Sequence, residues 1–367
     1  MKNTFGNSMS VTIFGESHGP FIGAVLDGLA PGIEVNDDFI KAQLDKRRPA
    51  GKISTARSEA DAYQIVSGVF EGKTTGTALC IIIPNSAQHS KDYSATRPLA
   101  RPGHADYTAF CKYHGFEDYR GGGHFSGRIT AAVVAAGAIA ISALEKKGIR
   151  IGTHIKSVGP VADRDFNDYD EDLTALSKLV FPALDQVKAK EMEHYIEQVA
   201  ADGDSVGGVL ESVITGMPAG VGEPWFDSIE SILSHVLFAV PAIKGVQFGA
   251  GFDMVNSLGS QYNDSFYMQE GQVKTRTNNN GGVNGGISNG MPITFRCAVK
   301  PTPSIYKDQD TVNFFENKDQ VLSIKGRHDP AIIHRARVVV DSVTALAVYD
   351  MLASRFGTDF FAGNKED

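Results

Sequence analysis

The chain has 367 residues, of which 42% are apolar and 21% are charged, a balance typical of globular proteins. Glycine is abundant, at 39 residues, but the glycines cluster among polar residues without a period, which excludes a collagen-like or low-complexity chain. The formal net charge of −8 excludes a basic surface for nucleic acid over the whole protein, so no nucleic-acid partner is predicted.

The first half of the chain alternates between short strands and helices. Runs of β-branched and aromatic residues predict the strands, and spaced apolar residues behind a capping residue predict the helices. The first helix follows the capping residue Asn36, and the third is apolar nearly all round, so we expect it to be central. The predicted strands cover residues 10–14, 21–26, 63–70 and 78–83, and the predicted helices cover residues 37–44, 106–114 and 128–147.

The second half has a similar rhythm. Pro182 and Pro330 suit the first turn of the helices that they begin, and residues 278–290 are expected to form a loop. Because each half contains one long apolar helix, we predict one domain over residues 1–367, with two pseudo-equivalent halves at roughly 1–150 and 151–367. The predicted strands cover residues 149–155, 208–215, 245–249 and 291–299, and the predicted helices cover residues 182–200, 227–240 and 330–356.

The cysteines and the apolar runs indicate where the protein works. Cys80, Cys111 and Cys297 form an odd, scattered set without metal-binding spacing, which favours a reducing compartment and predicts neither a disulfide nor a metal site. The N-terminus has no apolar signal-peptide core. The alanine-rich uncharged run over residues 129–144 is sixteen residues long and shorter than a membrane span, so we expect a buried helix in a soluble, cytoplasmic protein with no membrane partner.

Two short motifs match catalytic signatures only in their letters. Residues 15–19 (GESHG) match the nucleophile elbow of serine hydrolases, but that elbow requires a strand–turn–helix, and a strand pattern follows here. A hydrolase that uses Ser17 is therefore the disfavoured alternative, and His18 is either a proton donor beside a ligand or a turn residue without a role. Residues 68–74 approach a phosphate-binding P-loop, yet no helix follows them, so a hairpin turn is expected.

Several other loops are rich in glycine or carry histidine, arginine or lysine. Free amides at the helix N-terminus after residues 120–127 favour an anion, whereas Asp106 and Asp329 fit either a helix N-cap or a functional carboxylate. Because loops on a rigid scaffold usually carry the chemistry, we infer one large site for a multiply anionic ligand, with a non-catalytic anion- or nucleotide-binding protein as the alternative. The loops are residues 103–106, 120–127, 278–290, 300–304 and 326–330.

In this order, the loops resemble those of the chorismate synthase family. The matching stretches run from residue 14 to residue 330 and cover nearly the whole chain. They are FGESHG (14–19), Arg47-Arg48-Pro49 with Arg57, RPGHADY (101–107), DYRGGG (118–123), GDSVGG (203–208), KGVQFGAGF (244–252), the loop 278–290, KPTPS (300–304) and KGRHDP (325–330).

The resemblance implies an α+β fold, namely a β-α-β sandwich with internal pseudo-twofold duplication whose long buried helices pack against antiparallel sheets, assembled as a homotetramer. It also implies a carbon–oxygen lyase that converts 5-enolpyruvylshikimate 3-phosphate to chorismate and phosphate by 1,4-anti elimination, the last step of the shikimate pathway. This reaction requires reduced FMN. Some members reduce the flavin with NADPH, but this sequence has no nicotinamide fingerprint, so we expect an external flavin reductase as the electron source.

The resemblance further implies catalytic roles for four residues. His18, with Ser17 beside it, protonates the leaving phosphate. His104 protonates the reduced flavin, and Asp329 assists proton removal near flavin N5. These roles divide the proton transfers among three separate loops.

Binding roles are implied in the same way. The chain departs from many family members at His124 and Phe125, where they have Arg and Ser. The spacing leaves open which of Arg47 and Arg48 is the aligned substrate residue. The implied substrate-binding residues are Arg47, Arg48 and Arg57. The implied FMN-binding residues are His124, Phe125, Ser126, Pro241, Ala242, Gly285, Lys300, Pro301, Thr302, Pro303, Ser304 and Arg327.

Overall fold

Two five-stranded antiparallel sheets, one from each half of the chain, form the body of the computed structural model. The structure describes residues 2–49, 53–54, 61–85, 97–324 and 329–363. The strands of the first half are β1 (Thr4–Phe5), β2 (Ser10–Gly15), β3 (Phe21–Asp27), β4 (Gln64–Ser67), β5 (Val69–Phe70), β6 (Lys73–Thr74) and β7 (Leu79–Pro84).

The first sheet has the strand order β1-β2-β3-β7-β4. Its inner face is apolar because successive side chains on a strand point to opposite faces, and Leu79, Ile81 and Ile83 of β7 are all fully buried. Strands β5 and β6 form a separate hairpin in which Val69 pairs with Thr74. This confirms the hairpin turn that was predicted in place of a P-loop.

The second sheet has the order β11-β16-β10-β8-β9, and six further strands form three hairpins, β12–β13, β14–β15 and β17–β18. The strands concerned are β8 (Arg150–Val158), β9 (Val161–Ala162), β10 (Gly208–Thr215), β11 (Ile243–Phe248), β12 (Phe266–Gln269), β13 (Gln272–Thr275), β14 (Val283–Asn284), β15 (Ile287–Ser288), β16 (Ile293–Val299), β17 (Gln309–Asn313) and β18 (Lys318–Leu322). All pairings in this sheet are antiparallel.

Helices cover the sheets and fill the space between them. The helices are α1 (Asp37–Asp45), α2 (Asp106–Tyr113), α3 (Thr130–Glu145), α4 (Tyr169–Lys178), α5 (Gln186–Ala201), α6 (Ile229–Ala239), α7 (Gly259–Tyr262) and α8 (Ile333–Phe356). Short 3-10 segments lie at Arg120–Phe125, Gly127–Ile129, Trp225–Asp227, Gly251–Asn256 and Thr358–Phe361. As predicted, the Asn36 side chain caps α1 by accepting a hydrogen bond from the amide of Phe39.

Helices α3 and α8 are the central layer. Helix α3 packs on β3 and β7 of the first sheet, α8 packs on β8 and β10 of the second, and the two helices pack against each other. At their crossing, a Cβ atom on Gly137 would lie 2.4 Å from Cβ of Ser342, so the absence of a side chain lets the two helices approach this closely. The prediction that the alanine-rich helix is central is confirmed.

That helix also accounts for the alanine-rich apolar run predicted at residues 129–144. Among the described residues, Gly127–Glu145 is the one helix long and apolar enough to cross a membrane, with a mean hydropathy of 1.8. Because 78% of this apolar segment is buried inside the protein, it is a core helix, as the sequence predicted.

The prediction that Pro182 begins a helix is wrong. Helix α5 begins at Gln186, and Asp185 caps it by accepting hydrogen bonds from the first amides. The carbonyl of Pro182 instead accepts a hydrogen bond from the amide of Ile155 at 2.7 Å, which attaches the segment to β8. The capping residue Asp185 therefore marks the beginning of this helix better than Pro182 does.

Two other predicted boundaries also need correction. Helix α8 begins at Ile333 rather than at Pro330, whose carbonyl accepts a hydrogen bond from the amide of Val206 at 2.8 Å. The predicted loop 278–290 contains the hairpin β14–β15, because Gly285 and Gly286 adopt φ values of 62° and 87° that suit a tight two-residue turn. Helix α4 and the hairpins β12–β13 and β17–β18 were not predicted.

Candidate functional site

Ser17 and His18 lie on the turn between β2 and β3, where both side chains are buried. Ser17 Oγ lies 3.0 Å from His18 Nδ1, 3.1 Å from the carbonyl of Arg120 and 3.2 Å from that of Gly121. Because a carbonyl can only accept, the hydroxyl donates to one of them, and we infer that His18 Nδ1–H donates to Oγ. Two antiparallel strands flank the turn, so the hydrolase alternative lacks the strand–turn–helix of an elbow.

Three consecutive glycines bring the two loop histidines to one place. Gly121, Gly122 and Gly123 all have positive φ, between 53° and 84°. A Cβ atom on Gly121 would lie 2.2 Å from Cε1 of His18, and one on Gly122 would lie 3.1 Å from Cε1 of His104. Both imidazole rings therefore pack on the same stretch of bare backbone, which no larger residue could provide.

The His104 ring is oriented by a carboxylate. Its Nδ1 lies 3.1 Å from Oδ1 of Asp106, and Asp106 also accepts two hydrogen bonds of 2.7 Å from the guanidinium of Arg101. Burial alone would raise the pKa of Asp106, but these charged and polar partners outweigh it and hold that pKa well below its usual range. The N-cap of α2 is Ala105, so the alternative interpretation of Asp106 as an N-cap is wrong.

Asp329 is held through both its main chain and its side chain. The hydroxyl of Thr302 donates to the Asp329 carbonyl at 2.7 Å, and Nη1 of Arg335 donates to the carboxylate at 2.7 Å. The N-cap of α8 is Ile332, so Asp329 is not the helix cap either. Its carboxylate is instead the partner of an arginine on the first turn of that helix.

Residues 300–304 connect Asp329 to His104. Lys300 Nζ donates a short hydrogen bond to the carbonyl of Gly103, the residue before His104. A Cβ atom on Gly103 would lie 3.4 Å from Cβ of Pro303, so the two loops are in contact. The segment that binds Asp329 through Thr302 thus also binds the His104 loop.

Two arginines share one buried carboxylate. Arg47 Nη1 donates to Oδ2 of Asp61 at 2.8 Å, and Arg128 Nη1 donates to the other carboxylate oxygen. The exposed fraction of each of these three side chains is below a tenth. Arg47 also donates to the Thr130 hydroxyl and to the Gly127 carbonyl, both at 3.1 Å. The single carboxylate of Asp61 therefore orients both guanidinium groups, and the three side chains together carry a net positive charge.

Further hydrogen bonds link this pair to the loops on either side. Arg128 Nε donates to Oδ1 of Asn85 at 3.0 Å, and Nδ2 of Asn85 donates to the carbonyl of Gly19 in the His18 turn at 2.8 Å. On the other side, Arg335 Nε donates to the carbonyl of Arg47 at 2.7 Å.

These contacts connect the loops in a closed series, which we call the contact ring. Its four cations outnumber its two carboxylates, which favours a multiply anionic ligand, and its two histidines carry ring nitrogens that can donate or accept a proton. The contact ring consists of His18, Asn85, Arg128, Asp61, Arg47, Arg335, Asp329, Thr302, Lys300, His104, Gly121 and Gly122.

Known proteins match this chain in both sequence and fold. A family model for chorismate synthase matches residues 9–353, and the chorismate synthase of Lachnoclostridium phytofermentans is 46% identical over 354 residues, 96% of this chain and 95% of the relative. The chain belongs to the chorismate synthase family. The chorismate synthase of Thermococcus kodakarensis is 43% identical over 350 residues, covering 95% of this chain and 97% of that protein. A crystal structure of chorismate synthase shares 28% identity with a TM-score of 0.76 and covers 96% of this chain and 94% of that one.

Family membership confirms the resemblance inferred from the loops, and the antiparallel sheets with buried helices agree with the α+β fold that it implies. Within the family motif, His124 Nδ1 donates to the carbonyl of Gly15 at 2.7 Å, beside the His18 turn. Ser126 Oγ accepts a hydrogen bond from the amide of Arg128. Phe125 is partly exposed and meets the ring of Tyr113 edge-on.

The remaining predicted flavin residues fall into two groups. Ala242 is adjacent to the contact ring, because its carbonyl accepts a hydrogen bond from the amide of Lys300 at 2.9 Å, and the exposed Pro241 precedes it. Gly285 lies in the turn of the hairpin β14–β15, whose neighbour Gly286 packs against Ser228 instead. The structure therefore does not bring Gly285 together with the ring through any contact among the described residues.

The predicted substrate arginines are also separated. Arg47 belongs to the contact ring, whereas the half-exposed Arg48 forms an ion pair of 2.8 Å with Asp45 at the end of α1. Arg57 and the predicted flavin residue Arg327 lie outside the described residues.

Sequence reasoning did not assign site roles to Asp61, Asn85 or Arg335. Arg128 follows the loop 120–127, and its side chain was expected to add a donor to the anion site there. Asp61 and Arg335 occupy no local motif, and their contacts join segments 67 and 288 residues apart, so only the folded chain identifies them.

Proposed function

We propose that the chain converts 5-enolpyruvylshikimate 3-phosphate to chorismate and phosphate by 1,4-anti elimination, the last step of the shikimate pathway. The observation that carries this proposal is the contact ring, which joins His18, His104 and Asp329 from three distant loops within a surplus of positive charge. A substrate with one phosphate and two carboxylates suits that surplus.

We propose that Arg47 and Arg128 bind anionic groups of this substrate. Asp61 supports this role because it holds both guanidinium groups before any ligand arrives, so less side-chain freedom is lost on binding. Its single charge leaves the pair net positive. The ion pair of Arg48 with Asp45 favours Arg47 over Arg48, and the role of Arg57 stays a prediction.

His18 is proposed to protonate the departing phosphate, and Ser17 to orient it. With Nδ1–H directed to the Ser17 hydroxyl, proton transfer falls to Nε2 of the same ring. The buried position supports a donor that is shielded from bulk water.

We infer that reduced FMN binds beside residues 300–304. The fit rests on the Lys300 ammonium, which donates one hydrogen to the Gly103 carbonyl and has further hydrogens for a phosphate, and on Gly103, where no side chain separates this segment from His104. When bound, reduced FMN supplies transient electron donation that eases cleavage of the allylic C–O bond. Other residues proposed to complete the flavin site are His124, Phe125, Ser126, Pro241, Ala242, Gly285, Pro301, Pro303, Ser304 and Arg327.

His104 and Asp329 are proposed to manage the remaining protons. Asp106 holds the His104 ring in one orientation, which suits a group that keeps a proton directed at the flavin ring. Asp329, fixed by Thr302 and Arg335, is proposed to assist removal of the proton from C6 of the substrate.

The proposal is tested by an anaerobic assay of phosphate release. Purified protein, 5-enolpyruvylshikimate 3-phosphate and chemically reduced FMN are expected to yield phosphate and chorismate in equal amounts, and oxidised FMN is expected to yield none. FMN binding without phosphate release would instead indicate a non-catalytic flavin-binding protein. A Ser17-directed fluorophosphonate probe is expected to leave the protein unlabelled, and labelling would support the hydrolase alternative.

Four broader features are proposed on related grounds. Internal pseudo-twofold duplication within one domain over residues 1–367 is supported by one five-stranded sheet and one long buried helix in each half, roughly 1–150 and 151–367. Homotetramer formation is supported by exposed apolar side chains between residues 252 and 273, including Phe252, Val255 and Phe266. A cytoplasmic location and an external flavin reductase follow the sequence predictions.

A further inference from the structure

Arg335 lies on the first turn of α8 and contacts two of the loops that form the contact ring. Its Nη1 donates to a carboxylate oxygen of Asp329 at 2.7 Å, and its Nε donates to the main-chain carbonyl of Arg47, also at 2.7 Å. About a fifth of each side chain in the Arg335–Asp329 pair is exposed. One guanidinium therefore joins the proposed substrate-binding arginine to the proposed proton-accepting carboxylate.

The geometry of these bonds restricts the carboxylate. A guanidinium group is planar, so fixing Nε on a main-chain carbonyl also fixes the direction in which Nη1 points. The backbone of Asp329 is held independently by the Thr302 hydroxyl at 2.7 Å. Two separate anchors, one on the main chain and one on the side chain, thus determine where the carboxylate lies.

We propose that Arg335 is a positioning residue for Asp329, and that it affects turnover by holding this carboxylate rather than by touching the substrate. The proposal rests on the proposed function, because it takes Asp329 as the group that assists proton removal. A displacement of about 1 Å in a reacting group can cost ~100-fold in rate, so loss of the anchor is expected to be visible in kcat.

A remote ion pair provides the matched control. Arg164 donates two hydrogen bonds to the carboxylate of Asp172, at 2.5 and 3.0 Å, outside the contact ring. Arg164→Ala removes an arginine–carboxylate pair of the same kind. Its kcat is expected to stay within ~2-fold of the unsubstituted protein, because it moves no ring residue.

The experiment is a double-mutant cycle on turnover. Arg335→Ala is expected to lower kcat by about 10- to 100-fold and to change KM by less than ~3-fold. In the Asp329→Asn background the same change is expected to lower kcat by less than ~3-fold, because the carboxylate through which Arg335 acts is already lost. Guanidinium ion added to Arg335→Ala is expected to restore part of the lost kcat, and Arg335→Lys to retain more activity than Arg335→Ala.

Two results would overturn the proposal: an unchanged kcat in Arg335→Ala, or an equal loss of kcat in both backgrounds, as a merely structural residue would give. A readout without activity separates it from the proposed function. In a crystal structure of Arg335→Ala the carboxylate of Asp329 is expected to leave its present position while α8 is retained. If the unsubstituted protein released no phosphate, the proposed function would fail, and this displacement alone would decide whether Arg335 positions Asp329.

Discussion

His104 and His154 each have Nδ1 beside an aspartate, but Nδ1 of His104 also lies 3.1 Å from Nη2 of Arg101, and the surroundings of the two Nε2 atoms differ. In each, Nδ1 lies 3.1 Å from an aspartate oxygen, that of Asp106 or Asp163. Nε2 of His154 lies 2.9 Å from a second carboxylate, Glu211, and the side chain is fully buried. Nε2 of His104 instead faces the bare backbone at Gly122. About a fifth of the His104 side chain is exposed.

This difference separates a structural histidine from the histidine that is proposed to transfer a proton. Burial alone would lower the pKa of His154, but the carboxylates of Asp163 and Glu211 outweigh burial and raise it. With both ring nitrogens donating to carboxylates, His154 is held as a cation between β8, β10 and the chain after β9. In His104, Asp106 orients the ring through Nδ1, and Nε2 is the nitrogen that would exchange a proton with a ligand. Proton transfer by a positioned side chain requires such an arrangement.

The largest expected effect is on the stability of the protein when His154 is replaced. His154→Leu should lower the free energy of unfolding by about 3 kcal/mol or more, because it leaves the buried carboxylates of Asp163 and Glu211 without their shared cation. Urea unfolding measures the loss, and turnover per folded molecule should stay unchanged. A variant as stable as the unsubstituted protein would contradict the account of His154 as a structural cation.

The next largest effect is on turnover when His104 is replaced. His104→Ala should lower turnover by at least ~100-fold, the usual loss for a missing general acid, with little change in unfolding free energy because the ring is partly exposed. Anaerobic phosphate release and urea unfolding check the two halves of this expectation. Turnover equal to that of the unsubstituted protein would remove His104 from the mechanism.

A smaller effect tests the glycines that hold the histidines together. Gly121→Ala should cost about 1–2 kcal/mol for its positive φ and should also displace His18, since its Cβ would lie 2.2 Å from that ring. Gly72→Ala is the matched control, because Gly72 has a φ of 73° and no neighbour within 4 Å of its Cβ position. Gly72→Ala should lose only the backbone part of this stability and no turnover, whereas Gly121→Ala should lose turnover as well; equal turnover in the two would mean that His18 is not set by this backbone.

The smallest effect is a pH dependence of stability that disappears in His154→Gln. The raised pKa of His154 contributes stability that is complete below its unfolded pKa of about 6.5 and is lost as pH rises through the folded value. Burial would raise the pKa values of Asp163 and Glu211, but hydrogen bonds from His154 and other donors lower them, so their contribution is lost as pH falls below about 4.

The unfolding free energy of the unsubstituted protein minus that of His154→Gln is the quantity to follow by urea titration. It should be largest between about pH 4.5 and 6.5 and should decline above that window by at most ~1.4 kcal/mol per pH unit. A difference that grows from pH 6 to pH 9 would contradict the assigned charge of His154.

The sequence predicted those parts of the molecule that local chemistry determines. Helix-capping residues, the spacing of apolar residues and the glycine-rich stretches predicted the positions of β2, β3 and α3. They also predicted the three loops that carry His18, His104 and Asp329. The sequence could not assign Asp61 or Arg335, because each has one of its partners, Arg128 or Arg47, far along the chain. His154 was missed for the same reason: a single histidine in a strand has no local signal, and its role depends on Glu211 in the neighbouring strand.

The central claim is that distant loops converge on one site at the contact ring. The most direct measurement is a crystal structure of the protein with reduced FMN and 5-enolpyruvylshikimate 3-phosphate bound. We expect both molecules to contact the ring, with the substrate phosphate near Arg47, Arg128 and His18 and the flavin near His104. Density for either molecule away from the ring, with His18 and His104 touching neither, would contradict the account.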